Sequence, residues 1–122
     1  RALLPFLKRK NRSDLIYIGS EAALKGSRKG TIYCASKFAL RGFTQALREE
    51  CGTANVRVCL INRGMVLTPF FDRLSFAPGD DVSNFLLPED VAEAVSYVLN
   101  SRGEMIIDEI NLNPASKVVR KK

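Results

Sequence analysis

The sequence predicts an α/β fold in which three parallel strands alternate with helices. Short apolar runs rich in strand-forming residues lie at 14–18, 55–61 and 105–110. The segments between them carry apolar residues at spacings of three and four, which is typical of helices with one buried face. Strands separated by full helices are joined as parallel neighbours by right-handed crossovers. With 122 residues and no internal repeat, the chain is expected to form a single domain over 1–122.

The first half of the chain predicts a helix, a strand and a second helix in that order. An amphipathic helix is expected over 1–10, and because the chain opens on Arg1, its true start is expected to lie upstream. The first strand ends at Gly19 and Ser20, and the clearest helix follows over 30–52. Tyr33 therefore stands at the beginning of that helix.

The second half predicts a strand, a helix and a last strand. Asn62, Arg63 and Gly64 favour a turn that ends the second strand. Pro88 opens the last helix, with acids in its first turn, and the tail is expected to leave the sheet at Pro114.

Residues 69–87 form a predicted loop that is more apolar than a surface connection requires, and we expect it to be a substrate lid. Packing in the core explains its phenylalanines equally well. These are Phe70, Phe71, Phe76 and Phe85.

The charge distribution indicates no macromolecular partner of its own. The net charge is +6, from 19 Lys and Arg against 13 Asp and Glu, and the excess lies in two terminal clusters where charges are usually solvated. No aromatic residues interleave with the clusters, so no nucleic-acid partner is expected. No apolar run is long enough to cross a bilayer, so a soluble chain with no membrane partner is expected. The clusters are Lys8, Arg9, Lys10 and Arg12, and Lys117, Arg120, Lys121 and Lys122.

The absence of histidine excludes His-based triads, His-containing zinc sites and imidazole acid–base chemistry from this chain, and no metal site is predicted. The cysteines Cys34, Cys51 and Cys59 are odd in number and lack C-x-x-C spacing. A reducing, cytoplasmic compartment is the expectation.

Ser20, Tyr33 and Lys37 form a candidate catalytic site. Tyr33 and Lys37 are four residues apart on one face of a helix, and that helix follows the strand that ends at Ser20. An ammonium near a phenol favours the phenolate, and a serine hydroxyl can hydrogen-bond a substrate oxygen whose charge changes during reaction. The spacing Tyr-x-x-x-Lys alone is also common in helices as a packing residue beside an exposed charge.

The full string YCASK at 33–37, with Ser20 thirteen residues before Tyr33, and NRGMVLT at 62–68 resemble the classical short-chain dehydrogenase/reductase family. The resemblance is to the C-terminal half of such an enzyme. It implies the C-terminal portion of a Rossmann-like doubly wound parallel sheet, with the N-terminal dinucleotide-binding half absent.

The resemblance also implies an NAD(P)-dependent oxidoreductase that transfers hydride between the cofactor, NAD or NADP, and an alcohol or carbonyl substrate. Tyr33 would be the catalytic acid or base, Lys37 would support it and hold the nicotinamide ribose, and Ser20 would position the substrate oxygen. The cofactor would also be contacted by Gly64, Val66 and Thr68.

Two features depart from the family pattern. Arg63 stands where the family usually has proline, either as a solvent-facing residue or as a contact to phosphate or substrate. Gly26, Gly30 and Gly42 do not form G-x-G-x-x-G between a strand and a helix, so no pyrophosphate cradle is predicted.

Losing half of the fold would expose a strand edge and the helix faces at 1–10 and 31–50, so a homo-oligomer or association with the missing half is expected. The isolated chain could then be inactive, and the alternative is a non-catalytic binding or assembly module derived from the same fold. A sugar-nucleotide epimerase or dehydratase is a third interpretation, disfavoured by the short distance from Tyr33 to the end of the chain.

Overall fold

A computed structural model describes residues 2–122, which form a parallel three-stranded sheet with helices on both faces and a small antiparallel pair beside it. The order along the main sheet is β1-β2-β4, and β3 pairs with β5. The strands are β1 (Ser13–Ser20), β2 (Val56–Arg63), β3 (Phe76–Pro78), β4 (Glu109–Leu112) and β5 (Val119–Lys121). The helices are α1 (Leu4–Leu7), α2 (Thr31–Glu50) and α3 (Pro88–Asn100).

Strand β2 is the centre of the fold because it is buried on both faces. Val58, Leu60 and Ile61 have no exposed surface. One face of the sheet packs Val56 and Val58 against Cys51 and Leu47, and the other packs Cys59 and Ile61 against Val98 of α3. A parallel strand covered on both sides needs a continuous apolar run rather than an alternating one, as NVRVCLI nearly provides.

Helix α2 packs over β1 and β2, and two arginines along its length bind the sheet. The Arg41 guanidinium donates to the Glu109 carboxylate at 2.8 Å, and Arg48 donates to the carbonyl of Val58 at 3.2 Å. The outer face of α2 leaves Ile32, Phe38 and Phe43 exposed.

The predicted last strand at 105–110 is displaced, since β4 spans Glu109–Leu112. The Arg57 side chain donates to the carbonyls of Arg102 and Met105, and Arg48 donates to that of Asp108. The bonds from Arg57 occupy acceptors ahead of the strand, and the chain joins the ladder at Asp108, whose carbonyl accepts from the N–H of Leu60 as well as from Arg48.

The two ends of the chain also differ from the sequence predictions. The helix predicted over 1–10 covers only Leu4–Leu7, because it has no side-chain cap and no buried residue to extend it, and Arg1 lies outside the described residues. The tail does leave the main sheet after β4, but it then forms β5 against β3. The predicted loop at 69–87 contains β3 and short 3-10 turns.

Within residues 2–122, no helix is both long and apolar enough to cross a membrane. Cys34, Cys51 and Cys59 are buried free thiols.

Candidate functional site

The ends of β1 and β2 place the predicted site residues at one edge of the sheet. Ser20 and Arg63 are register partners in the parallel β1–β2 pair, so the segments that follow them leave the sheet side by side. A 3-10 turn (Glu21–Ala23) follows Ser20, and α2 packs against this turn. The carboxyl ends of parallel strands are where ligands bind in open α/β sheets.

A hydrogen bond holds the Ser20 hydroxyl oxygen, while the hydroxyl hydrogen has no acceptor among residues 2–122. It is 7% exposed, and its Oγ accepts a hydrogen bond from the backbone N–H of Ala22 at 3.2 Å. No acceptor for the Ser20 hydroxyl hydrogen is found among residues 2–122. The hydroxyl is therefore held in place by its oxygen while its O–H can donate to a substrate oxygen.

Tyr33 and Lys37 lie one turn apart at the start of α2, as their spacing predicts. Tyr33 is 46% exposed, and the Lys37 Nζ lies 5.3 Å from the centroid of its ring, within the range of cation–π attraction. In the part of the chain that the structure describes, Lys37 has no carboxylate partner. Both polar ends are thus open to a bound molecule.

Backbone hydrogen bonds anchor the turn before α2, and they define where the first turn of the helix, with Tyr33, begins. Gly30 donates its N–H to the carbonyl of Ser27 at 3.1 Å, and its own carbonyl accepts from Cys34 at 2.7 Å. A Cβ at Gly30 would collide with Ser27 Oγ. Glycine at this position is therefore required for the entry into the helix.

The segment 64–68 follows β2 and is closed onto the loop that returns before α3. The N–H of Leu67 donates to the carbonyl of Leu86 at 2.8 Å, and the N–H of Leu86 donates to that of Met65 at 2.8 Å. Val66 is buried and Thr68 is half-buried, with Thr68 Oγ1 donating to the carbonyl of Val66 at 3.4 Å.

Gly64 makes the close approach between this segment and the tail. A Cβ there would come within 2.8 Å of Cδ of Pro114. The segment therefore offers backbone groups and the Thr68 side chain to a ligand, rather than an open glycine cradle.

A buried asparagine, Asn62, pairs with the exposed Asn111, and the sequence did not indicate this contact. Asn62 is 1% exposed, and its Nδ2 donates to Asn111 Oδ1 at 3.0 Å. Within the described chain, Asn62 Oδ1 has no hydrogen-bond partner. It lies against Gly19, where a Cβ would be 2.7 Å from it. The signal in the sequence was an asparagine that ends an otherwise apolar strand, which we interpreted only as a turn residue.

Arg63 lies beside Ser20 at the end of β2 and is half-buried. No salt bridge of its guanidinium is found among residues 2–122.

A cavity of about 480 Å³ lies at the opposite edge of the sheet, away from Ser20 and Tyr33. Its lining includes Arg48, Asn55, Arg57 and Asp108. Arg48 and Arg57 are already bound to carboxylates, to Asp108 at 3.0 Å and Asp14 at 2.6 Å. We therefore place the candidate site where free polar groups converge, not at this cavity.

Comparison with known proteins identifies a single family. A sequence model of the short chain dehydrogenase family matches residues 1–77. An NADP-dependent 3-hydroxy acid dehydrogenase of Schizosaccharomyces pombe is 32% identical over 121 residues, covering 94% of this chain and 47% of that protein. A sepiapterin reductase of Chlorobaculum tepidum is 31% identical over 117 residues, covering 95% and 46%.

Solved structures agree with the sequence comparison. Serine dehydrogenase from Escherichia coli superposes with a TM-score of 0.78 and 30% identity, covering 97% of this chain and 47% of that one. A closed form of serine dehydrogenase complexed with NADP+ gives a TM-score of 0.82 and 33% identity, covering 97% and 50%. The chain thus spans about half the length of the relatives it matches.

The comparisons assign the chain to the N-terminal, dinucleotide-binding part of the family's fold. By that assignment, the prediction of a C-terminal half with the dinucleotide-binding half absent is wrong. Both halves of a doubly wound sheet are built from the same strand–helix–strand unit, so the alternation of elements does not distinguish them. Even so, the sequence has no G-x-G-x-x-G, and its Tyr-x-x-x-Lys stands at the start of α2.

The residues at this edge fit one end of a nicotinamide cofactor. Lys37 and Tyr33 offer an ammonium and a phenol for sugar hydroxyls, and Thr68 offers a hydroxyl for an amide. Among residues 2–122, no glycine-rich turn precedes a helix to hold a pyrophosphate, because Gly26 and Gly30 stand apart in the sequence and a Cβ at Gly30 would meet Ser27 Oγ. The fit therefore covers the nicotinamide and its ribose.

Proposed function

Because the chain belongs to the short chain dehydrogenase family, we propose that it carries the proton-handling site of an oxidoreductase dependent on NAD or NADP. The proposed reaction interconverts an alcohol and a carbonyl. The proposed catalytic residues are Ser20, Tyr33 and Lys37.

The observation that carries this proposal is the set of free polar groups near the carboxyl ends of β1 and β2. The Ser20 O–H lacks an acceptor, the Tyr33 side chain is half-exposed, and the Lys37 ammonium has no carboxylate among residues 2–122. Unpaired polar groups held by well-ordered backbone are expected where a ligand completes the bonding.

Each of the three residues has a distinct part in the proposed reaction. In the reducing direction, the Tyr33 hydroxyl gives its proton to the substrate carbonyl oxygen, and in the oxidising direction its phenolate takes the proton of the alcohol. The Ser20 O–H donates to the same oxygen and stabilises the charge that develops on it. The Lys37 ammonium binds the cofactor's ribose hydroxyls. The nicotinamide supplies or accepts the hydride when it is bound.

We propose that the segment 64–68 contacts the nicotinamide ring. Its Thr68 hydroxyl and its backbone around Gly64 and Val66 lie at the same edge as Ser20. The bonds to Leu86 keep this segment from collapsing into the space in front of β2. This assignment follows from the family resemblance.

We propose that the loop at 69–87 contacts the substrate in this site. Phe71 is buried against Met65 and Ala77, and its ring contacts Phe70 and Phe76 edge-on at 5.4 Å and 5.9 Å. Phe70 is 56% exposed. Phe71 therefore belongs to a small core, whereas Phe70 is free to contact an apolar part of the substrate.

Cofactor titration and turnover test the proposal. Fluorescence titration with NADH and NADPH should show saturable binding by this chain, and Ser20→Ala should lower kcat by about 10²–10³-fold. Lys37→Met should weaken cofactor binding and lower kcat. Lys10→Met is the matched control, because the Lys10 Nζ also lies over an aromatic ring, that of Phe6 at 4.4 Å, in the segment before β1. Equal losses in the Lys10 and Lys37 variants would contradict the proposal.

A second candidate, a non-catalytic assembly module, is favoured by the exposed apolar face of α2. Ile32 and Phe43 share one face of this helix and are 82% and 53% exposed, and the Phe43 ring also packs edge-on against Tyr17 at 5.7 Å. Large apolar side chains exposed on one surface mark interaction sites. This function predicts self-association in sedimentation, without saturable cofactor binding and without turnover that depends on Tyr33.

A further inference from the structure

The tail at 115–122 binds the loop at 69–87 along most of its length. The N–H of Gly79 donates to the carbonyl of Val118 at 3.1 Å, and the N–H of Lys122 donates to that of Ser75 at 2.9 Å. Nearer the start of the tail, Asn84 Nδ2 donates to the carbonyl of Ser116 at 2.9 Å. With the β3–β5 pairing, these bonds make the tail and the loop one unit.

A single ion pair ties this unit to the turn that follows Ser20. The Lys117 Nζ lies 2.6 Å from Glu21 Oε1, and the two side chains are 51% and 28% exposed. Glu21 directly follows Ser20 and opens the 3-10 turn that Ser20 caps. The pair joins positions 96 residues apart in the sequence. Lys117, which the sequence placed in a solvated terminal cluster, therefore has a specific partner.

We propose that Glu21 and Lys117 are positioning residues that set the loop at 69–87 over the reacting centre. Their ion pair fixes the distance between the Ser20 turn and the tail, and the tail carries the loop. This inference rests on the proposed function, since it assigns the loop to the substrate side of that site. Neither residue contacts the reacting atoms.

The arrangement differs from the other ion pair of the tail. Arg120 lies 3.1 Å from Asp80, which belongs to the loop itself, so that pair only reinforces the unit. Among the side-chain ion pairs of the described chain, the one between Lys117 and Glu21 joins the tail to the segment of the catalytic serine. Releasing it frees the loop without touching Ser20, Tyr33 or Lys37.

Steady-state kinetics test the kinetic part of the proposal. Glu21→Gln and Lys117→Gln should each raise KM for the substrate by about two- to five-fold, the range expected for a partly exposed ion pair, while kcat changes less. The charge-reversed double variant Glu21→Lys with Lys117→Glu should restore KM. Lys121→Gln is the control, since it removes the same charge from the same tail and Lys121 has no salt bridge within residues 2–122.

Hydrogen exchange gives a readout that does not depend on turnover. The amides of Leu67 and Leu86, whose hydrogen bonds hold the ends of the loop to the segment 64–68, should exchange about two- to five-fold faster in Glu21→Gln and Lys117→Gln than in Lys121→Gln. Equal KM values and equal exchange in all three variants, or a double variant that restores neither, would overturn the proposal. If the unsubstituted chain shows no turnover while the exchange difference is still present, the proposed function is overturned and the positioning proposal is not.

Discussion

The two edges of the main sheet use polar residues in opposite ways. At the edge where β1 and β2 begin, the buried Arg57 donates to the Asp14 carboxylate at 2.6 Å, to the Ser101 hydroxyl at 2.9 Å and to the carbonyl of Val98 at 2.9 Å. At the edge where they end, the Ser20 O–H and the Lys37 ammonium have no such partners among residues 2–122.

The difference separates charges that hold the fold from charges that are available for chemistry. Arg57 lies at the end of α3, where it binds the carbonyl of Val98 together with Ser101 and also binds the carbonyls of Arg102 and Met105 beyond the helix. The same type of residue at the other edge, Arg63, lies beside Ser20 with no ion pair in the described chain. A cavity of about 480 Å³ lies at the satisfied edge, so concavity alone does not locate the functional site in this molecule.

Removing Arg57 should cause the largest loss of stability. Arg57→Leu leaves Asp14 with only the partly exposed Arg12 as its cation and removes the donor to the carbonyl of Met105, which should cost about 2–4 kcal/mol of unfolding free energy. Urea unfolding measures this cost. Arg102→Leu is the control, because the Arg102 side chain is 75% exposed, and it should change stability by less than about 0.5 kcal/mol. Similar effects of the two substitutions would show that the network at this edge does not hold the fold.

Gly19 should be the most sensitive glycine near the site. Gly19→Ala places a Cβ 2.7 Å from Asn62 Oδ1 and 2.9 Å from Leu60 Cδ1, and should cost about 1–3 kcal/mol through overpacking. It should also displace Ser20 and lower turnover. Gly42→Ala is a matched control in the middle of α2, where a Cβ meets nothing within 4 Å, and should stabilise the chain by about 0.5–1 kcal/mol. The expected effects therefore have opposite signs.

The buried thiol of Cys59 should give a smaller, pH-dependent effect. Burial raises the pKa of Cys59 from 9.0 to about 11. Since the folded state holds the proton more tightly than the unfolded state, this contribution to stability is complete below about pH 9 and is lost as the pH rises to about 11. Urea unfolding of the parent and Cys59→Ala should show a stability gap that narrows over this window. A constant gap would contradict the assignment.

The sequence predicted local relations better than distant ones. The four-residue spacing of Tyr33 and Lys37 and the strand end at Ser20 depend on short stretches of chain, and in the structure β1 ends at Ser20 and α2 contains Tyr33 and Lys37. The Asn62–Asn111 pair and the Lys117–Glu21 pair join residues 49 and 96 positions apart, and no local pattern indicates them.

The errors have similar causes. The strand at 105–110 was displaced because Arg57, which lies far back in the chain, binds the carbonyl of Met105. The half of the family's fold was misassigned because both halves repeat one strand–helix–strand unit.

The most direct measurement compares turnover and unfolding free energy for Tyr33→Phe. If the free groups at the end of β1 and β2 serve the reaction, losing the phenolic hydroxyl should lower kcat by about 10²–10⁴-fold. Unfolding free energy should stay within about 0.5 kcal/mol of the parent value, because the hydroxyl makes no hydrogen bond to residues 2–122. Turnover that survives in Tyr33→Phe, or a loss of turnover matched by a loss of stability, would contradict a catalytic role for this edge.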